Sequence, residues 1–222
     1  MISVVGTSWI AKQKYGTQLK KVSGAFENVR ELYSQVKEKQ IIQNPMKNFG
    51  RFDQVSKNTC LAISLALFDA GASSVEDGMQ NVGIVSTNEK GCLQSNKRYF
   101  TDYVDSGRKL SRGNFFIYTL PSTPIAEAAI HFGCQGPVAY FAFQNNQTNE
   151  ALEQGRMMIE TKETTDLLIV NANEEEAVCF YIKEQSNKQA GEHVSLEKVQ
   201  QLLKDTEGLS EVINKISKEE RE

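Results

Sequence analysis

Residues 120–174 read LPSTPIAEAAIHFGCQGPVAYFAFQNNQTNEALEQGRMMIETKETTDLLIVNANE, and this stretch decides the fold. Pro124 stands in the first turn of a short helix ending at Phe132, where its missing N–H has no helical partner to lose. Gly133 and then Gly136-Pro137 break the chain. Val138, Ala139, Tyr140, Phe141, Ala142 and Phe143 form a short apolar run of the kind that makes a buried strand. The polar insert Gln144-Asn145-Asn146-Gln147 follows abruptly, and Thr148 or Asn149 can cap the next helix. That helix turns Ala151, Leu152, Met158 and Ile159 towards a core, and Leu167-Leu168-Ile169-Val170 closes the unit as another buried strand. The order is helix, tight turn, strand, polar elbow, helix, strand.

A strand that ends in a tight elbow feeding a helix is a place where a nucleophile can be presented. The elbow lifts one side chain out of the sheet, and the helix N-terminus supplies positive potential to it. Here the elbow residues are amides. They cannot become thiolates or alkoxides, so the elbow has the shape for covalent catalysis without the atom.

The segment resembles the nucleophile region of β-ketoacyl synthases in the thiolase-like superfamily. Those proteins carry a Gly-Pro pair, a strand of about seven residues, a nucleophilic Cys and a following helix, like EALEQGRMMI here. Counted without gaps from Gly136-Pro137, the Cys position falls on Asn145. An amide at that position is similar to the chain-length-factor type of synthase partner. The resemblance covers most of residues 1–185. It implies an α/β fold, half of a thiolase-like fold, with a five-stranded mixed sheet, helices on both faces and a last strand that pairs antiparallel.

The bounds agree with a soluble α/β chain. At 222 residues with 40% hydrophobic content, the chain can bury a real core. A net charge of −3 gives no basic face for nucleic acid. MISVVGTSWI lacks the basic start of a secretory signal, and no apolar run reaches the ~18–20 residues of a membrane span. CLAISLALF is the longest candidate, and it is interrupted by Ser64. A cytoplasmic protein is expected. Cys60, Cys92, Cys134 and Cys179 lie far apart with no Cys-x-x-Cys pair, which reads as reduced thiols rather than a metal site. NVGIVSTNEKG lacks the phosphate-loop pattern.

Along the chain, residues 1–10 read as a strand, 11–24 as a polar loop and 25–39 as a helix. Asn44-Pro45 begins a connector. Residues 53–70 form the clearest helix, apolar around much of its circumference and ended by Gly71. Residues 81–91 read as a strand and loop, 95–104 as a short aromatic helix that packs in a core or interface, and FFIYTL at 115–120 as a strand or extended segment. Glu174-Glu175-Glu176 is a solvated turn, and AVCFYIK is a strand with Val178, Phe180 and Ile182 on one face. The domain division is 1–185 for the half-fold and 186–222 for a polar linker and a C-terminal amphipathic helix. In that helix Ser195 is the cap, Leu196, Val199, Leu202 and Leu203 form the apolar stripe, and Thr206-Glu207-Gly208 interrupts. It is expected to fold back on the sheet.

The resemblance also sets expectations of function. A complete synthase has a second half that brings two catalytic histidines, and nothing here matches them. His131 and His193 read as structural or exposed. No cofactor and no metal are implied. Gln144, Asn145 and Asn146 are the expected substrate-binding residues, hydrogen-bonding an acyl or malonyl thioester. In the family the strand matching Val138–Phe143 pairs with its mate across the dimer two-fold. A homodimer, or a heterodimer with a catalytic ketosynthase, is therefore expected, together with an acyl carrier protein as partner. The favoured reading is a non-catalytic accessory or chain-length-setting subunit of fatty-acid, polyketide or aryl-polyene-type biosynthesis. The alternatives are an acyltransferase or decarboxylase using Ser122, Ser111 or Cys134, and a purely structural interaction protein.

Overall fold

The computed structural model describes residues 1–42, 45–72, 81–109, 112–185 and 193–219. One mixed sheet lies between two helical layers. Its strands are β1 (Ile2–Ala11), β2 (Lys14–Thr17), β3 (Ser23–Ala25), β4 (Val82–Thr87), β5 (Val138–Tyr140), β6 (Asp166–Ala172), β7 (Ala177–Glu184) and β8 (Val194–Ser195). They run in the order β3-β2-β1-β7-β6-β4-β5, with β8 also on β1. β4 pairs parallel with β5 and with β6. β7 pairs antiparallel with both β6 and β1. The carboxyl ends of β1, β4, β5 and β6 therefore lie along one end of the sheet.

The layered half-fold expected from the sequence is present. Its five strands are β1, β4, β5, β6 and β7, and β7 is the antiparallel one. The sheet is nevertheless larger than five, because residues 11–24 are not a loop. Lys12-Gln13 is a two-residue turn that folds β2 back on β1, with Ala11 opposite Lys14. β3 then pairs with β2. Tyr15, Gly16 and Thr17 are buried by this pairing.

One helical layer holds α1 (Val29–Glu38), α2 (Gln54–Asp69) and α5 (Thr123–Phe132). α2 is buried on almost every side, as its sequence implies, and Asp53 caps it by accepting the Ser56 N–H at 2.8 Å. It sits directly on β1: a Cβ on Gly6 would fall 2.2 Å from the Ala66 carbonyl oxygen. The Asp69 carboxylate, buried at the end of α2, accepts the backbone N–H groups of Thr7, Leu19 and Lys20 at 2.8–3.1 Å. It ties the β1–β2 hairpin to the helix.

The opposite layer holds α6 (Gln147–Glu160), α7 (Leu196–Leu203) and α8 (Leu209–Glu219). The expected C-terminal helix is thus two helices, separated at Thr206-Glu207-Gly208, and they do fold back on the sheet. Leu196, Val199, Leu203, Val212, Ile213 and Ile216 join Trp9, Ile169, Phe180 and Ile182 in a second core. Ser195 caps α7, its hydroxyl accepting the Lys198 N–H at 3.3 Å. Residues 186–192, read as the linker, lie outside the described residues, as do Asn44 and Ser111.

Two further expectations change and one narrows. FFIYTL is not a strand: it forms α4 (Gly113–Phe116) and a 3₁₀ turn (Ile117–Thr119). Helical spacing turns Tyr118 inward and leaves Phe116, Ile117 and Leu120 in solvent. α3 (Leu93–Asp105) is the expected aromatic helix, yet it contributes no buried residue to a core. Glu176 is buried rather than solvated, its carboxylate accepting the Ser210 hydroxyl at 2.5 Å.

Candidate functional site

The run expected as a buried strand is an exposed edge strand. β5 is three residues long, and Val138 is 42% exposed. Its other side has no strand among the described residues. The Ile84 N–H donates to the Pro137 carbonyl at 2.8 Å, and the Phe141 N–H donates to the Ser86 carbonyl at 2.9 Å. Alternation in a parallel pair then turns the backbone groups of Val138 and Tyr140 away from β4. Gly83 and Gly136 permit the approach: a Cβ on either would lie within 2.7 Å of backbone across the pair.

The flank beside this edge is apolar and open. Ile130 on α5 is 80% exposed and Phe100 on α3 is 64% exposed, with Leu93, Phe116, Ile117 and Leu120 also in solvent. The Tyr99 and Phe116 rings, 5.6 Å apart, pin α3 to α4.

Beyond β5 the chain leaves the sheet at Phe141, and the Phe141 and Phe143 rings stack 5.9 Å apart against the second core. The elbow follows. Gln144 and Asn145 are exposed, and Asn146 is half-buried in the left-handed region at φ 44°. The Asn146 side chain donates to the Lys204 carbonyl at 2.8 Å and accepts from the Thr206 hydroxyl at 3.4 Å. It fastens the elbow to the α7–α8 connection. Gln147 donates to the Phe143 carbonyl at 3.0 Å, which closes the turn.

Neither expected residue caps α6. Asn146 occupies the cap position, but its side chain is turned to the α7–α8 connection and makes no capping hydrogen bond to α6. The Thr148 hydroxyl is instead engaged by the Asn171 amide at 2.9 Å. The uncapped first turn therefore projects its N–H groups and its positive end outwards.

These residues line a cavity of about 420 Å³ that includes Gln144, Asn145, Asn146, Asn171 and Asn173, with Glu89 and Glu207 also on its wall. The site can donate and accept several hydrogen bonds at once, which suits a polar carbonyl-bearing ligand. Asn171, Asn173 and the residues after Thr206 were not legible as site residues. The only signal was the NAN run at the end of an apolar strand.

The alternative nucleophiles fare differently. Cys134 is buried in the core between the sheet and α2 and α5, and burial pushes its thiol up to about 12, so the thiolate is strongly disfavoured there. Cys60, Cys92 and Cys179 are buried too, each thiol raised chiefly by desolvation. Ser122 is exposed ahead of α5 and its side chain caps nothing. His131 packs against the Phe132 ring at 4.6 Å, burial lowering its pKa, and His193 is exposed before β8. No single place gathers these groups with the elbow.

Among the described residues no helix is long and apolar enough to cross a membrane. No protein-family model and no curated protein matches the sequence. Solved structures do match. The ishigamide ketosynthase/chain length factor aligns at 14% identity and TM-score 0.60, over 86% of this chain and 63% of its own. A chain from the structure of a type II polyketide acyl carrier protein in complex with its hexaketide-bound ketosynthase aligns at 13% identity and TM-score 0.62, over 83% and 62%. A chain from the complex of a ketosynthase with its chain length factor from Xenorhabdus doucetiae aligns at 12% identity and TM-score 0.61, over 100% and 92%. The chain thus spans about three-fifths of the first two and nearly all of the third. It has the ketosynthase and chain-length-factor fold.

Proposed function

We propose that this chain, having the fold of ketosynthases and chain length factors, is a non-catalytic, ketosynthase-like subunit that sets or supports acyl-chain assembly beside a catalytic partner. The observation that carries the reading is the elbow. The chain delivers Gln144-Asn145-Asn146 to the mouth of a polar cavity at the start of α6, and every cysteine is buried elsewhere. Asn145 stands in for the nucleophile, and with Gln144 it holds a thioester carbonyl by hydrogen bonds rather than attacking it. Likeness over the whole chain to a protein from a ketosynthase–chain length factor complex supports this assignment.

The partner docks on the β5 edge. Val138 and Tyr140 offer unpaired backbone groups to a strand from a second chain. Ala139, Phe141, Ala142, Phe143 and the apolar flank of α3, α4 and α5 complete the contact. The partner is a second copy or a catalytic ketosynthase, and an acyl carrier protein brings the acyl group. Residues 1–185 are the half-fold, and α7 and α8 cover the face of its sheet that α6 also packs on. We place this work in the cytoplasm, which suits four unpaired thiols.

Restoring a thiol tests the elbow. An acyl thioester probe is expected to leave the native protein unlabelled and to acylate Asn145→Cys within minutes, because α6 stabilises a thiolate at its N-terminus. Rapid acylation of native Cys134 or Ser122 would favour the acyltransferase reading instead.

A further inference from the structure

We propose that the groove between the β2–β3 hairpin and α8 binds a small phosphate ester carrying an apolar group. This site lies on the other flank of α8 from the elbow cavity, lined by Ser210, Ile213, Asn214 and Ser217 where that cavity is lined by Leu209 and Val212, and does not depend on the reading given above. It arises because the sheet extends two strands past the helical layer. α8 covers β1 and β7 but not β2 and β3. On that face the register places Trp9 opposite Gly16, Ala11 opposite Lys14, Lys14 opposite Ala25 and Gly16 opposite Ser23. Small residues thus make the floor, and a cavity of about 690 Å³ remains above them, within the range of small-molecule sites.

The rim is cationic in a chain whose net charge is −3. Lys12, Lys14 and Lys21 all line the groove, and none of them makes an ion pair among the described residues. The facing wall on α8 supplies Ile213, Asn214 and Ser217. Glu176, the one carboxylate among the described lining residues, is already engaged by Ser210. Three ammonium groups around one cavity match a dianion better than a carboxylate, and lysine is a recurrent phosphate binder. Trp9 and Ile213 are largely buried in the second core, and the edges they turn to the groove are where an apolar group would lie.

A second observation comes from the backbone. Lys12 and Gln13 form the hairpin turn with φ of 50° and 59°, both left-handed. Such turns favour Asn-Gly, and each non-glycine residue here costs about 1 kcal/mol. What Lys12 adds at this position is a charge at the mouth of the groove.

Trp9 is the only tryptophan in the chain, so its emission reports on the groove floor. The native protein would be titrated with hexyl phosphate, inorganic phosphate and hexanoate at constant ionic strength. Phosphorus NMR line broadening serves as the second readout. Hexyl phosphate is expected to saturate and to bind at least tenfold tighter than either of the others. Lys14→Gln should weaken it at least tenfold with the far-UV spectrum unchanged. The double change Lys12→Asn, Gln13→Gly is the sharper arm: it should raise the melting temperature by several degrees while weakening hexyl phosphate several-fold. No saturable binding by either readout overturns the proposal. So does full affinity in Lys14→Gln, or in a stabilised turn variant.

Discussion

The sheet ends in a three-residue strand on either side, β3 at one edge and β5 at the other. Around β3 the exposed side chains include Lys12, Lys14 and Lys21, and the hairpin turns sharply on left-handed residues. Lysine and a short, twisted strand are the usual means of keeping a sheet edge from pairing with another chain. Around β5 the exposed residues are Val138, Ile130, Phe116, Ile117 and Leu120, and no charge stands on the strand itself. Equal length therefore conceals opposite character. The β3 edge carries the features that oppose strand addition, while the β5 edge is apolar and has no second strand beside it among the described residues.

The comparison can be broken most directly at Val138. Proline there removes an N–H that points away from β4 and leaves the ladder with β4 intact. Val138→Pro is expected to weaken association at least a thousandfold, about 4 kcal/mol, with an unchanged far-UV spectrum. Retained association would mean that the partner sits elsewhere.

Asp69 tests the other edge. Asp69→Ala strands three backbone N–H groups that anchor the hairpin and should cost about 3 kcal/mol in urea unfolding. The solution mass should not change, because the β5 edge is untouched. A loss of association along with stability would couple the two edges.

Removing the lysines sharpens the contrast further. Lys14→Val with Lys21→Val gives the β3 edge the character of β5. Sedimentation velocity should then detect a new, weak self-association, with the association constant up roughly tenfold, about 1.4 kcal/mol.

The smallest expected effect lies between the edges. Glu153 on α6 is held by Arg156 and by Gln200 of α7, and the Arg156 guanidinium lowers its pKa from 4.5 to about 2. Its stabilisation is complete above about pH 4.5 and is lost as pH falls towards 2. Being largely solvent-screened, the contact is worth a few tenths of a kcal/mol. Glu153→Gln should flatten that part of the stability–pH curve slightly, with no effect on mass.

The legible parts of the fold were those where local pattern and tertiary role agree. The apolar circumference of α2 announced a buried helix, the Val178, Phe180, Ile182 alternation announced β7, and Ser195 announced the start of α7. The hairpin at Lys12-Gln13 was hidden because its turn uses residues that normally avoid left-handed backbone. VAYFAF misled on burial: apolar composition cannot distinguish a central strand from an edge strand awaiting a partner. FFIYTL misled on type, because it winds through the end of a short helix and a 3₁₀ turn that together bury Tyr118 and leave Phe116, Ile117 and Leu120 bare. At the elbow, Gln144, Asn145 and Asn146 were visible in the sequence and do stand at one cavity. Asn171, Asn173 and the α7–α8 connection reach it only through the fold.

The central claim, a partner chain on the β5 edge, is tested most directly by light-scattering mass. Native protein and Val138→Pro would each be measured alone and mixed with a catalytic ketosynthase. The native chain is expected to give twice its 24.9 kDa or a one-to-one complex, and the variant to stay at 24.9 kDa in both settings. A native chain that remains at 24.9 kDa alone and in the mixture would contradict it, as would a variant that assembles like the native chain.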